Sequence, residues 1–122
     1  MCTILLSIHP EFVDKIMNGE KKFEFRKVKT KRKPDKIIIY STSPVCKVIG
    51  EAEVEDILVD KPENIWSETK KFSGINKDLY IEYFNNKDIA VAYKLKNVIE
   101  YPEPIDLQSL GIKSAPQSFV YI

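Results

Sequence analysis

The apolar residues of this chain fall in short runs rich in branched side chains, each cut off by a proline, a glycine or a polar turn. "TILLSI" (3–8), "KIIIYST" (36–42) and "SFVYI" (118–122) have the composition and length of strands and are too short for ordinary helices. "KVIGEAEVEDILV" (47–59) is a longer strand, and Gly50 inside it marks a bulge or a sharp bend. In "DIAVAYKLKNVIEY" (88–101), Ile89, Val91, Tyr93 and Leu95 share one face, and Pro102 and Pro104 are expected to end the strand.

Between these strands the period becomes helical. Pro10 suits a first helical turn, Phe12, Val13, Ile16 and Met17 recur at helical spacing, and Gly19 caps the run. "PENIWSETKKF" begins a short helix at Pro62, and "NKDLYIEYFNN" takes Asn76 as N-cap with Leu79, Tyr80, Tyr83 and Phe84 inward. The reading is six strands and three helices, with an opening β–α–β unit and hairpin-like neighbours after it. No glycine-rich phosphate loop is present. That pattern fits a small curved sheet or barrel flanked by helices, of α+β class, better than a doubly wound fold. The 122 residues suffice for one domain, 1–122.

No apolar run approaches the roughly 18 residues of a membrane helix, and the N-terminus has the pattern of a first strand without the basic leader of a signal peptide. A soluble, cytoplasmic protein with no membrane partner is expected. Cys2 and Cys46 are isolated thiols and His9 is the single histidine, so neither a disulfide, a metal site nor a cofactor is expected.

Charge is unevenly placed. The net charge is +1, yet the segment from Lys21 to Lys36 carries nine basic residues against Glu24 and Asp35. Such a block creates a local positive field that attracts phosphates, although lysine-rich solvated loops are also common. At its start, "NGEKKFEFRK" (18–27) alternates Phe23 and Phe25 with Lys22, Glu24 and Arg26, a strand with one apolar and one polar face. Lys21 at the strand mouth, with Glu24 and Arg26, offers a cation, an acceptor and a planar five-donor fork. Arg26 suits a phosphate or a base edge, and Glu24 suits an exocyclic amine or the orientation of Lys21. The alternative is a solvated Glu24–Arg26 pair worth under about 1 kcal/mol.

The stretch "LLSIHPEFVDKIMNGEKKFEFRK" resembles the opening of the ASCH domain, a branch of the PUA-like superfamily, whose G-x-K-x-x-E-x-R pattern is matched by Gly19, Lys21, Glu24 and Arg26. "IIIYSTSP", "VIGEAEVEDI", "SGINKDLYIEYFNNKDIAVAYKL" and the ending "PQSFVYI" extend the resemblance over essentially the whole chain. The resemblance implies a PUA-like β-barrel of about six strands with two or three helices, and a cleft beside the first helix for RNA or a modified nucleoside. It implies RNA or nucleotide binding in RNA metabolism or in regulation of transcription or translation. Other branches are similar to hydrolases of N4-acetylcytidine or to small ribonucleases. The residues so implicated are Lys21, Glu24, Arg26, Lys29, Lys31, Arg32, Lys33, Tyr40 and Ser41 for nucleic acid, with Lys21 and Glu24 as candidate catalytic groups. The amidohydrolase branch carries a nucleophilic threonine where this chain has Glu24, and a carboxylate does not attack an amide as a hydroxyl does. Glu68 is a candidate for a further acid. Ser7 beside His9 forms at most a weak nucleophile–base pair, and Trp66, Tyr80, Tyr83 and Phe84 fit a core better than a base-stacking platform.

Overall fold

The computed structural model describes all residues, Met1–Ile122. Six strands and three helices follow one another as β1 (Thr3–Ile8), α1 (Pro10–Asn18), β2 (Phe23–Arg26), β3 (Lys36–Ser41), β4 (Lys47–Asp60), α2 (Pro62–Thr69), α3 (Lys77–Tyr83), β5 (Ala90–Ile105) and β6 (Phe119–Tyr121). They form one curled sheet in the order β2-β5-β4-β3-β1-β6, a half-barrel of α+β class. Only β1 and β3 run parallel; the other pairings are antiparallel.

The expected β–α–β opening takes a different form. After α1 the chain goes to the far edge of the sheet, where β2 pairs with β5, and then returns to lay β3 beside β1. The sheet curls enough to bring its β2 edge back to β1: Arg26 on β2 donates from Nη2 to the Ser7 carbonyl on β1 at 3.0 Å. Below that contact, the loop after β2 closes the gap, with Thr30 buried against the Tyr93 hydroxyl, which lies 3.4 Å from both its N and its Oγ1.

Three apolar clusters hold these elements. Ile4, Leu6, Ile8, Ile37, Ile39, Val91, Tyr93 and Leu95 fill the inside of the sheet under Val13 and Ile16 of α1. Phe23 and Phe25 face the other way and pack with Ile65, Tyr80 and Phe84 of the helices. Leu5, Ile38, Tyr40 and Val48 are covered by the C-terminal segment, including Ile112 and Val120. Ile4, Leu5 and Leu6 of β1 therefore form an unbroken apolar run, because both faces of the strand are covered there.

Gly50 sits where β4 bends across β5. A Cβ there would stand 2.2 Å from the Ile99 carbonyl oxygen, so no larger residue fits without backbone movement. Three expectations need correction. β5 continues through Pro102 and Pro104 to Ile105, because beyond Lys94 its outer edge has no strand neighbour and the missing N–H groups interrupt no second ladder. Ile89 precedes the strand and is exposed, as is Leu79 on the outer side of α3. The N-cap of α3 forms as expected, with Asn76 Oδ1 accepting from the Leu79 N–H at 2.8 Å.

Candidate functional site

The polar face of β2 is buried along with its apolar face. Phe23, Glu24 and Phe25 are all buried and Arg26 is nearly so, because Glu24 stands opposite Tyr93 and shares the inward side of the sheet. Above this face the curled edges leave a cleft of about 600 Å³. Its lining includes Ser7, His9, Phe12, Lys21, Glu24 and Arg26. Tyr40, Thr42, Cys46 and Tyr83 join them, together with the Ala115–Gln117 segment.

Lys21, Glu24 and Arg26 do converge. Lys21 Nζ lies 3.9 Å from Glu24 Oε1, and Arg26 Nη2 donates to Glu24 Oε2 at 2.9 Å. Two local features place Lys21. Its backbone N–H bonds the Lys15 carbonyl just past the end of α1, which turns the side chain inward. Its ammonium then donates to the Ser73 carbonyl at 2.7 Å and lies over the rings of Phe12 and Phe25, 5.2 and 4.7 Å from their centroids. The segment above it contains Gly74, at φ +66°, whose missing side chain leaves the space that the Lys21 methylenes occupy.

Burial dominates the electrostatics of this group. Lys21 is 3% exposed, and desolvation lowers its pKa from 10.5 to about 8; Glu24 opposes the shift, while Lys15 and Arg26 add to it. Arg26 Nε is buried without a partner, the one such side-chain atom in the chain. Burial raises the Tyr83 hydroxyl above its usual value against the opposing pull of Arg26, with Glu24 adding to the rise. Tyr40 is likewise raised, first by burial and then by its hydrogen bond with the Cys46 side chain.

The other sequence candidates are distributed differently. Tyr40 lines the cleft, but Ser41, its neighbour on β3, is buried outside the lining. Lys29, Lys31, Arg32 and Lys33 stand exposed on the loop after β2 and leave the cleft; Arg32 lies 3.9 Å from the ring centroid of Tyr121. Glu68 is exposed on α2 and does not reach the cleft. Ser7 and His9 both line it without pairing: Ser7 Oγ donates to the Pro116 carbonyl at 2.7 Å, and His9 Nδ1 is 3.5 Å from Thr42 Oγ1.

Helical periodicity assigns Tyr83 to the core but does not reveal its second role. Like Tyr80 and Phe84 it packs on the helix-side core, with its ring 4.8 Å from that of Phe84, and it also forms part of the cleft wall, with Lys27 Nζ 4.5 Å from its ring centroid. Ser43 and Cys46 come from the turn between β3 and β4, and the Ala115–Gln117 segment arrives through long-range closure of the sheet. The sequence signals near them were the likeness of "IIIYSTSP", which includes Ser43, and of the "PQSFVYI" ending to family segments.

A curled half-barrel whose β2 edge closes on β1 around a cationic cleft beside the first helix is a PUA-like domain. Within that class the chain belongs to the ASCH domain family, whose sequence model matches residues 6–99. Solved structures of the ASCH protein from Zymomonas mobilis superpose with a TM-score of 0.90 at 30% identity, covering 98% of this chain and 87% of that one. A tyrosine-to-phenylalanine variant of that protein superposes equally well, at 29% identity and covering 89% of its chain. The chain is 32% identical over 124 residues to a protein from the same organism named ASCH domain-containing ribonuclease, covering 97% of this chain and 82% of that one. It is also 33% identical over 121 residues to a protein of Ureaplasma parvum named ATP synthase subunit alpha, and 31% identical to one named large ribosomal subunit protein uL22. The chain spans only 15% and 39% of those two proteins.

Proposed function

We propose that residues 1–122 act as one ASCH domain that binds RNA, holding a single-stranded segment in the cleft. The observation that carries this reading is the buried Lys21–Glu24–Arg26 group on the floor of a cleft beside which an exposed basic loop begins. Lys27, Lys29, Lys31, Arg32 and Lys33 extend from the Arg26 end of β2, so a strand leaving the cleft meets a series of cations. No helix is long and apolar enough to cross a membrane. An RNA ligand and two unpaired thiols fit a cytoplasmic place of action.

The test is a titration of fluorescent single-stranded RNA at several salt concentrations. The expected result is a linear fall of log affinity with log salt, with a slope that shrinks by about 1 for each phosphate-contacting lysine removed from the loop. Binding that ignores salt, or a slope unchanged when Lys29, Lys31 and Lys33 are all replaced by alanine, would refute it.

One observation favours a second reading, cleavage of the bound RNA. Lys21 has a pKa of about 8, within reach of a general base near neutral pH, and a relative of comparable length is named a ribonuclease. In this reading neutral Lys21 accepts the proton of a ribose 2′-hydroxyl as its oxygen bonds to phosphorus. The P–O5′ bond breaks and the leaving oxygen is protonated from water. Glu24 fixes the amine. Hydrolysis of N4-acetylcytidine has less support, since Glu24 is held between two cations where that branch places a hydroxyl. Incubation with labelled RNA and with N4-acetylcytidine separates these readings, and Lys21→Ala should remove whichever turnover is seen.

A further inference from the structure

We propose that the floor of the cleft receives the edge of an unpaired nucleobase, while the phosphates of the same strand stay outside on the basic loop. This rests on the RNA-binding reading and specifies which part of an RNA enters. The donors of Arg26 decide the matter. A guanidinium grips phosphate through two parallel N–H groups, and both of its two-pronged faces include Nη2. Here Nη2 is already used twice, at 3.0 Å to the Ser7 carbonyl and at 2.9 Å to Glu24 Oε2. Neither fork is free, so Arg26 can offer an incoming group single N–H donors only.

Glu24 weighs further against an anion. Glu24 is 7% exposed and its carboxylate lies against that guanidinium, so a phosphate brought to Arg26 meets a buried negative charge where screening by water is weak. The Lys21 ammonium keeps its charge and leaves the trio with one net positive charge, but it is held 2.7 Å from the Ser73 carbonyl and 3.9 Å from Glu24. The case against phosphate therefore rests on the occupied forks of Arg26. A base edge has the opposite requirements: it is neutral and presents a donor beside an acceptor. Glu24 accepts from the donor, a single N–H of Arg26 gives to the acceptor, and the half-buried Phe12 and Tyr83 supply apolar ring surface for the flat faces. The cleft volume falls within the roughly 300–1,000 Å³ of small-molecule sites. Phosphates remain near Lys27, which lies over the outer part of Tyr83, and near the exposed cations that follow it.

The experiment is competition against a bound fluorescent single-stranded RNA by an equimolar mixture of adenosine, cytidine, guanosine and uridine, and separately by ribose 5-phosphate. Nucleosides should displace the RNA and ribose 5-phosphate should not. Displacement by ribose 5-phosphate alone, or by neither, would overturn the assignment while leaving RNA binding intact. Glu24→Gln gives an independent sign. A base at the floor loses its charged acceptor, so affinity should fall roughly tenfold. A phosphate there would be relieved of repulsion and bind more tightly. Thermal melting of the variant establishes that it is folded; if it is not, the competition on the unaltered protein still decides. Failure of the RNA itself to bind would remove the parent reading and this one together.

Discussion

Replacing Lys21 by methionine changes how stability depends on pH, and the sign follows from its burial. In the folded protein its pKa is about 8 against 10.5 ordinarily, so at neutral pH both states are protonated and the folded state bears the full cost of burying the charge. That difference corresponds to roughly 3 kcal/mol. Between the two values the unfolded chain binds more protons than the folded one, so stability rises with pH; above 10.5 the penalty is gone. From about pH 7 to about pH 9.5 the wild-type protein should gain on the order of 2 kcal/mol relative to Lys21→Met. Tyr80 and Tyr101, both raised to about 12, act above about pH 10 and equally in the two proteins. Urea unfolding of both at a series of pH values measures the difference directly. Parallel stability curves across that interval would show that Lys21 is not desolvated, and with it the electrostatic account of the site would fall.

Gly74→Ala places a Cβ 2.4 Å from Lys21 Cβ on a residue held at φ +66°, so it should cost about 1–3 kcal/mol in thermal or urea unfolding and weaken RNA binding by moving the lysine. Asn76→Ala removes the cap of α3 and should cost about 1 kcal/mol while leaving RNA affinity unchanged, which makes it a control for the cleft variants. If RNA is cleaved with Lys21 as base, kcat should rise about tenfold per pH unit below 8 and level off above it, and a rate independent of pH in that range would rule the lysine out as base.

The sequence was informative where a rule acts locally. The strands at 3–8 and 36–41, the proline starts of α1 and α2, and the Asn76 cap follow from composition and spacing within one element. What escaped it depended on curvature. The alternation at Phe23–Arg26 predicts two faces but not that both are covered, since closure of β2 toward β1 is a property of the whole sheet. The same closure gives Tyr83, packed on the core, a second place in the cleft wall and brings Pro116 against Ser7 across 109 residues. Prolines 102 and 104 misled because strand-ending by proline assumes neighbours on both sides, and β5 has lost one by then. The trio at Lys21, Glu24 and Arg26 was legible as a spacing, whereas its burial was not.

That burial separates a functional group from an architectural one. Elsewhere polar side chains away from solvent are satisfied: buried Tyr80 donates to the Pro62 carbonyl at 2.7 Å, half-buried Tyr101 to Glu51 at 2.8 Å and buried Thr69 to the Ile65 carbonyl at 2.7 Å. At the cleft two costs remain, the desolvated Lys21 and the unpartnered Arg26 Nε, the latter worth about 1–3 kcal/mol. Both lie on or beside β2, an edge strand whose ladder runs to β5 alone. Lys21→Met at neutral pH relieves the desolvation but loses the Ser73 hydrogen bond and the attraction of the Phe12 and Phe25 rings, terms of similar size and opposite sign. Its stability near pH 7 should therefore stay within about 1 kcal/mol of the wild type while RNA affinity is lost. A lysine kept for the fold gives the reverse, a loss of about 3–5 kcal/mol with binding retained in whatever fraction stays folded. Urea unfolding and RNA titration on the same variant distinguish the two.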